Sequence, residues 1–272
     1  MSLAMWTEPM TAPLSLNMGD VVASSAAAGG YGALSFEGSG AQSVSLGAGG
    51  KLCTLKVNKP AGTLTYNSDL ALVRHYTHVA GLVNANSKTI RFVGTYNDFT
   101  PGDAAYYNIE CAAGVHVMVL GGAAQVANDL LLTSGRVSQG TMTVLGDVSV
   151  GASFTGGSTA LRLAGTTPHN LSSLGVFPAS VECVEQGSVL VFKAGDTFKF
   201  DKLALQGGSA GSGERIAAQS SIAGSPYYFV VGSEDLSCVD ISDCDASGSG
   251  HTLDAKDNCG DLGGNVNIDF GI

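Results

Sequence analysis

Short runs of apolar residues alternate with turn-forming residues along almost the whole chain. Each run is rich in Val, Ile, Leu or Phe and ends at Gly, Asn, Asp or Ser. Runs of about four to six residues between turn signals are typical of β-strands. The clearest runs lie at 32–36, 52–57, 89–93, 115–120, 142–145, 189–192, 227–231 and 238–241. Helical signals are weak: residues 123–132 are apolar enough but lack caps and a charged outer face, so the pattern predicts a nearly all-β protein.

A longer periodicity lies on top of the strand pattern. Residues 34–44 resemble residues 161–171, and residues 61–72 resemble residues 194–205, in each case at a distance of about 130 residues. Short strands, frequent turns and degenerate self-similarity together predict a β-solenoid, also called a β-helix.

The solenoid prediction has a simple physical basis. Each strand would stack on the strand of the next coil, about 4.8 Å away, so that backbone groups pair between coils. Inward positions would take Val, Leu, Ile, Ala and Cys, while Gly and Asn permit left-handed corner conformations. With roughly 20–25 residues per coil, 272 residues make about ten to twelve short coils. A β-sandwich with Greek-key connections is the alternative.

The same patterns predict how the chain is divided. Residues 1–30 are expected to form an N-terminal arm or attachment segment, with a flexible tail as the alternative. Residues 31–272 would form the β-solenoid domain. Two related repeat blocks are expected inside it, at about 34–95 and 161–205, followed by a C-terminal capping region at about 233–272.

Composition narrows the class of protein. Charged residues make up 13% of the chain and apolar residues 44%, which argues against disorder. The 38 Gly accompany only 7 Pro, so the chain is neither collagen-like nor a Pro-rich linker. The formal net charge of −10 disfavours a basic nucleic-acid groove or a polybasic membrane patch. We therefore expect no nucleic-acid partner. The chain also has no apolar run of about 18 residues, so we expect no membrane insertion.

The cysteines give information about the cellular compartment. Three are dispersed and three lie near the C-terminus, without the paired CxxC spacing of a zinc site. We predict free buried thiols, with the disulfides of a secreted protein as the alternative. The cysteines are Cys53, Cys111, Cys183, Cys238, Cys244 and Cys259.

Several phrases of the chain resemble bacterial and phage β-solenoid proteins. They lie at 38–44, 54–59, 61–65, 69–72, 80–90, 239–248 and 263–270. The resemblance implies a solenoid fold and a role among phage virion proteins, adhesin-like surface proteins or modules that flank carbohydrate-active enzymes. It implies no shared catalytic residues. A Trp is usual in that family where Asn267 or Ile268 stands here, so the last coil is expected to end differently.

The segment 74–78 is the most site-like cluster of the sequence, because it contains His75 and His78. On a helix the two imidazoles would share a face and could hold a metal. In a strand they point to opposite faces, and the strand reading is the one we adopt. The isolated histidines His116, His169 and His251 are expected to be polar or stacking positions rather than catalytic bases.

Two glycine-rich segments resemble catalytic motifs only superficially. Residues 207–211 fit G-x-S-x-G around Ser209, but another loop follows where a nucleophile elbow requires a helix. Residues 47–52 contain Lys51 among glycines but lack the first Gly and the Ser or Thr of a phosphate loop. Neither segment predicts an active site.

Aspartates are frequent near the C-terminus. Asp240, Asp243 and Asp245 are the best candidates for a Ca²⁺ site, although their spacing fits no known calcium repeat. Asp is also a common corner residue, because its carboxylate hydrogen bonds to nearby backbone, and we expect structural turns here. A carboxylate pair for glycoside hydrolysis stays open, since the sequence cannot place two acids across a groove.

We therefore expect a non-enzymatic structural protein of a bacteriophage particle, either a capsid decoration or cement protein or a tail spike or fibre component. No catalytic, cofactor or metal residues are predicted. The first ten residues lack the basic start and apolar stretch of a secretory signal, in keeping with a virion location. Expected partners are further copies of the chain in a homotrimer, the major capsid protein or tail proteins, and a host-surface glycan. The alternatives are a bacterial cell-surface adhesin or glycan-binding module and a polysaccharide-degrading β-helix enzyme.

Overall fold

A computed structural model describes residues 2–3, 12–17, 19–208 and 214–271, with the side chains of 2–3 and 113–116 left out. The fold is an all-β parallel solenoid of about 11 turns, as the sequence predicts. Residues 123–132, the weak helix candidate, contain the strand Ala123–Val126 and the start of Leu130–Ser138. No helix in the described part of the chain has the length and apolarity needed to cross a membrane.

The chain divides into two compact units. The first contains Met1–Asn128 and Ser134–Gly140, and the second contains Asp129–Thr133 and Thr141–Ile272. Strand β14 (Leu130–Ser138) contributes residues to both. The other strands of the first unit are β1 (Ser2–Leu3), β2 (Leu14–Leu16), β3 (Asp20–Ala23), β4 (Ala33–Phe36), β5 (Gln42–Leu46), β6 (Thr54–Tyr66), β7 (Leu70–Leu72), β8 (Tyr76–Asn84), β9 (Thr89–Phe92), β10 (Tyr96–Thr100), β11 (Ala105–Tyr106), β12 (Asn108–Leu120) and β13 (Ala123–Val126).

Parallel pairing in the first unit forms three main columns of stacked strands, and β11 pairs with β13 outside them. The first column runs through β2, β4, β6, β8, β10 and β12. A second uses β1, β3 and β5 with the later halves of β6 and β8, and a third uses β7, β9 and the start of β12. Leu34 pairs with Leu55 and Leu55 with Tyr76, which corresponds to 21 residues per coil.

The second unit uses the same parallel stacking with more variable coil lengths. One column contains β15, β17, β19, β21 and β23, and another contains β16, β18, β20, β22, β24 and β27. The strands are β15 (Thr141–Val144), β16 (Val148–Phe154), β17 (Ala160–Leu163), β18 (His169–Ser173), β19 (Ser180–Cys183), β20 (Val189–Phe192), β21 (Thr197–Gln206), β22 (Ile216–Ser220), β23 (Tyr227–Ser237), β24 (Val239–Ile241), β25 (Cys244–Asp245), β26 (Leu253–Asp254), β27 (Gly260–Asp261) and β28 (Ile268–Asp269). A single 3-10 turn, Ser247–Ser249, lies between β25 and β26.

Part of the predicted arm belongs to the coil stack, and the two look-alike segments have the same order of elements. In the predicted arm, β2 and β3 pair with β4 and β5 and so belong to the coil stack, while residues 4–11 and 18 lie outside the described ranges. The look-alike segments 34–44 and 161–171 both form strand, turn and strand. The attachment role of the arm stays a prediction.

Side chains at the corners bond one coil to the next. Asp20 accepts a hydrogen bond from the backbone N–H of Ser43 at 2.7 Å, and Asp147 accepts one from Asn170 at 2.8 Å. Such bonds satisfy backbone donors where the ladder is interrupted. Position 94 requires glycine because the backbone of Val73 lies very close to it, and a Cβ there would overlap the carbonyl oxygen of Val73.

The predicted capping region is the least buried part of the second unit. Its last strands, β26, β27 and β28, are only two residues long, and short edge strands resist pairing with other chains. Asn267, which stands where the resembled family has Trp, donates hydrogen bonds from its amide to the carbonyl oxygens of His251 and Ala246.

Candidate functional site: an outward-facing groove in the first unit

A shallow groove of about 380 Å³ lies on the outer face of the first column of the first unit. We call it the histidine groove; it is lined chiefly by Thr54, His75, Thr77, Asp98, Thr100 and Gly121. Strand alternation places these side chains outside, because their neighbours Leu55, Tyr76, Phe99 and Leu120 are buried in the core.

Coil register arranges the groove in two rows. Leu55 pairs with Tyr76 and Tyr76 with Phe99, so the residues before them, Thr54, His75 and Asp98, follow one another on adjacent coils. The second row contains Lys56, Thr77 and Thr100. On the next coil Gly121 continues this row without a side chain, and Val119 continues the first row. Successive members of a row are about 4.8 Å apart.

A histidine and a carboxylate are in direct contact in the first row. His75 Nδ1 lies 3.1 Å from Asp98 Oδ2 and also 3.0 Å from the backbone nitrogen of Asp98. The ring of Tyr96 meets His75 edge-on at 6.1 Å between centroids. A hydrogen bond to the Asp98 carboxylate raises the pKa of Tyr96 above its usual value. These contacts hold the imidazole and the phenol in fixed orientations.

Other polar atoms of the groove point outward without a protein partner. Among the described residues, none bonds to Nε2 of His75 or to the hydroxyls of Thr77 and Thr100. In particular, no threonine hydroxyl is hydrogen bonded to His75, so the groove contains no assembled nucleophile and base. Its free donors and acceptors are suited to binding.

His78 lies on the opposite face of the strand from His75, as the strand interpretation predicts. It is 3% exposed, its Nε2 lies 2.8 Å from the carbonyl oxygen of Gly81, and its Nδ1 lies 3.3 Å from Asp103 Oδ1. The two histidines therefore cannot share a metal ion. No cluster of three or more His, Cys, Asp or Glu side chains suited to a metal occurs among the described residues.

The remaining predicted histidines occupy separate structural positions. His169 is buried, with Nδ1 2.6 Å from the carbonyl oxygen of Gly146. His251 lies on the surface, where Nε2 contacts Glu234 Oε2 at 2.8 Å, and this bond raises the pKa of His251 above its usual value. The side chain of His116 lies outside the described residues.

The two glycine-rich motifs differ in how much of each the structure describes. Ser209 and the residues up to Gly213 lie outside the described ranges, so the G-x-S-x-G segment is seen only at its start. In the segment 47–52, the backbone nitrogens of Gly47 and Lys51 donate to carbonyl oxygens of the preceding coil, and that of Gly50 donates to the carbonyl oxygen of Gly47. Those donors are not directed at a phosphate.

The candidate calcium aspartates have separate hydrogen-bond partners. Asp240 pairs with Arg215 at 2.8 Å, and the pKa of that guanidinium is raised by the contact. Asp243 accepts from the backbone of Gly224 at 3.1 Å, and Asp245 from that of Ser247 at 2.9 Å. Asp243 and Asp245 act as turn residues, whereas Asp240 lies within strand β24 and forms an ion pair instead of a turn.

None of the six cysteines forms a disulfide, as predicted. Burial raises the pKa of the Cys53 thiol to about 11 and that of Cys244 to about 12. Thiols with such pKa values stay protonated near neutral pH and are poor nucleophiles.

A second groove of about 440 Å³ lies within the second unit, and we call it the aspartate groove. Its polar side chains mostly bond to one another. Asn170 donates to both carboxylate oxygens of Asp147 at 3.1 Å, and the hydroxyl of Ser172 donates to that of Ser149 at 3.1 Å. Because these groups already have partners, the histidine groove is the stronger candidate site.

Sequence reasoning identified His75, within the segment 74–78 that also contains Thr77, but missed Asp98 and Thr100 as neighbours. Asp98 is 23 positions after His75 and Thr100 is 23 positions after Thr77, so only coil register brings them together. Polar residues recurring at one coil length, as in Thr54, His75 and Asp98, are the signal that could have identified the row.

The fold implied by the family resemblance is present, since both units are parallel solenoids. The phage or bacterial-surface origin implied by the same resemblance stays a prediction. No family model matches the chain, and comparisons with curated proteins and with solved structures find no match.

Proposed function

We propose that this chain is a non-enzymatic structural protein of a bacteriophage particle, acting as a capsid decoration or cement protein or as part of a tail spike or fibre. The observation that supports this proposal is the parallel coil stacking within each unit. Leu34, Leu55 and Tyr76 follow one another through three coils in unbroken register, and corner carboxylates add further bonds between coils. Such a stack is stiff, because each coil is bonded to the coil above and below it.

The use of reactive side chains within the stack also supports a structural role. Asp147 accepts from the backbone of the next coil, and His169 contacts the carbonyl oxygen of Gly146. The thiols of Cys53 and Cys244 are buried and protonated. These groups therefore bond within the coil stack or are enclosed by it.

The proposed partners are further copies of the chain in a homotrimer, together with the major capsid protein or tail proteins. Val79 and Leu82 of β8 are 56% and 68% exposed, and apolar side chains in such positions are suited to a protein contact. Light scattering on the purified chain tests self-association. A trimer has a mass of about 82 kDa, three times 27.4 kDa, and a mass of 27.4 kDa would contradict the homotrimer.

The location is tested on phage particles purified from lysate by density-gradient centrifugation. We expect mass spectrometry to find the chain in fixed stoichiometry with the major capsid protein, and electron microscopy to show stacked coils at symmetric positions. The particle-free lysate fraction is the control. Absence from the particles would overturn the proposal, and enrichment in the bacterial envelope would favour the adhesin alternative. Release of sugar fragments from host polysaccharide by the purified chain would contradict a non-enzymatic role.

A further inference from the structure

We propose that the histidine groove binds a neutral oligosaccharide. This inference goes beyond the proposed structural role and does not depend on it, because it concerns the surface chemistry of the first unit alone. It is based on four features: unpaired polar atoms, an exposed aromatic ring, the balance of charge and the repeat along the rows of the groove.

The polar atoms match the hydrogen-bonding needs of a polyol. A sugar hydroxyl both donates and accepts, and the groove offers both functions through the hydroxyls of Thr77 and Thr100 and through Nε2 of His75. Threonine side chains are restricted at χ1, so their hydroxyls lose little freedom when a ligand binds. By contrast, Asp147, Asn170, Ser149 and Ser172 of the aspartate groove already bond to one another.

An aromatic ring lies beside these polar groups. Tyr96 is two residues before Asp98 in β10, on the same outer face, and is 48% exposed. Its edge contact with His75 limits rotation of the ring. An exposed ring of this kind provides an apolar surface for the C–H groups of a pyranose, while its hydroxyl stays hydrogen bonded to Asp98.

Charge and shape favour a neutral, extended ligand. The groove and its edge contain one carboxylate, Asp98, and one ammonium group, Lys56, so neither a polyanion nor a polycation is attracted strongly. An added peptide strand is disfavoured, because the backbone of β8 is already paired with β6 and β10. The repeat of about 4.8 Å along each row suits a chain molecule that contacts several coils.

The experiment uses the full chain on an array of neutral and acidic oligosaccharides, followed by calorimetric titration with the neutral oligosaccharide that binds best. We expect Tyr96→Ala and Thr77→Val each to weaken binding by about tenfold, the effect of one lost ring contact or hydrogen bond. The matched controls are Thr65→Val on another outer face of the first unit and Tyr228→Ala in the second unit, which should bind as the wild type does. Circular dichroism and thermal unfolding verify that each variant is folded.

Binding that weakens in the groove variants but not in the controls supports the proposal. The site is wrong if groove and control variants bind equally well, or if Thr65→Val weakens binding as much as Thr77→Val. The ligand class is wrong if only acidic glycans bind, or if no neutral oligosaccharide does. None of these outcomes depends on whether the chain is found in phage particles, so the two proposals can fail separately.

Discussion

The two units enclose different aromatic cores. In the first unit, buried tyrosines are hydrogen bonded inside the coil: the hydroxyls of Tyr66 and Tyr76 are 2.9 Å apart, and Tyr106 donates to the carbonyl oxygen of Pro101 at 2.7 Å. In the second unit, the buried rings are mainly phenylalanines. Phe192 stacks on Tyr227 at 4.7 Å and meets Phe198 edge-on at 5.0 Å.

The difference shows two ways of filling the same kind of coil. Phenylalanine rings are held by apolar burial and ring contacts, which tolerate small shifts. Buried hydroxyls require a partner at a definite distance, so they stabilise one register and penalise others. The first unit continues this pattern at Lys59, which is 1% exposed and donates to Gln42 Oε1 at 2.5 Å and to the carbonyl oxygen of Gly38 at 2.7 Å. Desolvation lowers the pKa of Lys59.

The largest effect is expected from Phe192→Ala in the second unit. Phe192 is 1% exposed and contacts Phe198, Tyr227 and Phe229, so truncation leaves a cavity at the centre of the ring cluster. The expected loss in the free energy of unfolding is about 3–5 kcal/mol. Urea unfolding measures the loss, and hydrogen-exchange mass spectrometry locates it within the second unit.

The control for this change is Leu174→Ala, also in the second unit. Leu174 is 70% exposed, so its removal should change stability by less than about 0.5 kcal/mol. A loss below about 1 kcal/mol for Phe192→Ala would show that the ring cluster contributes little to the stability of this unit.

A smaller effect is expected from Tyr76→Phe in the first unit. The change leaves the ring in place but removes the partner of the buried Tyr66 hydroxyl, with an expected cost of about 1–3 kcal/mol. Tyr227→Phe in the second unit should cost less, because its hydroxyl is 3.4 Å from the carbonyl oxygen of Ala218, a weak bond, and its other partner is a thiol, a weak hydrogen-bonding group, at Cys244.

A double-mutant cycle distinguishes the hydrogen bond from general packing. If Tyr66 and Tyr76 stabilise each other, Tyr66→Phe combined with Tyr76→Phe should cost clearly less than the sum of the two single changes. Strict additivity in urea unfolding would contradict a direct hydroxyl contact in the first unit.

The fold was predictable because its signals are local, whereas the groove and the core network were not. Strand alternation is enough to place His75 outside and His78 inside, and strand length with turn residues gives the coil size. The pairing of His75 with Asp98 depends on the number of residues between two corners, which the pattern of polar and apolar residues does not determine. Likewise, Tyr66 and Tyr76 are alternating apolar positions in the sequence, and only the folded coil brings their hydroxyls together.

Alkaline pH tests the buried tyrosines of the two units without shortening any side chain. Burial raises the pKa of Tyr66 and Tyr76 in the first unit, and of Tyr227 in the second, well above the ordinary value of about 10. Below that pH both folded and unfolded states hold the proton. Above it only the folded state does, so stability falls by about 1.4 kcal/mol per pH unit for each such tyrosine.

The measurement is the free energy of unfolding between about pH 9.5 and 11, where unfolded tyrosines ionise. The decrease in the free energy of unfolding per pH unit should be smaller by the contribution of one tyrosine in Tyr76→Phe or Tyr227→Phe. It should be smaller by the contribution of two in the double variant that combines Tyr66→Phe with Tyr76→Phe. Phe99→Leu is the control, since it lowers stability without removing an ionisable group. An unchanged slope in the double variant would mean that these hydroxyls ionise in the folded state as they do in the unfolded state.

The smallest effect concerns a surface pair of the second unit, which contrasts with the buried hydroxyls of the first. His251 directs Nε2 at Glu234 Oε2 (2.8 Å) and Nδ1 at the carbonyl oxygen of Ser249 (3.1 Å), so the doubly protonated ring satisfies both acceptors and its pKa is raised. The stabilisation is therefore fully present below the ordinary histidine pKa of about 6.5 and is lost as the pH rises through the raised value. The difference in the free energy of unfolding between the wild type and His251→Gln should decrease between about pH 6 and pH 8. Glu234→Gln should remove this pH dependence. Because the pair is exposed and screened, the change should be much smaller than that of Tyr76→Phe. An NMR titration that places the pKa of His251 below 6.5 would contradict the assignment.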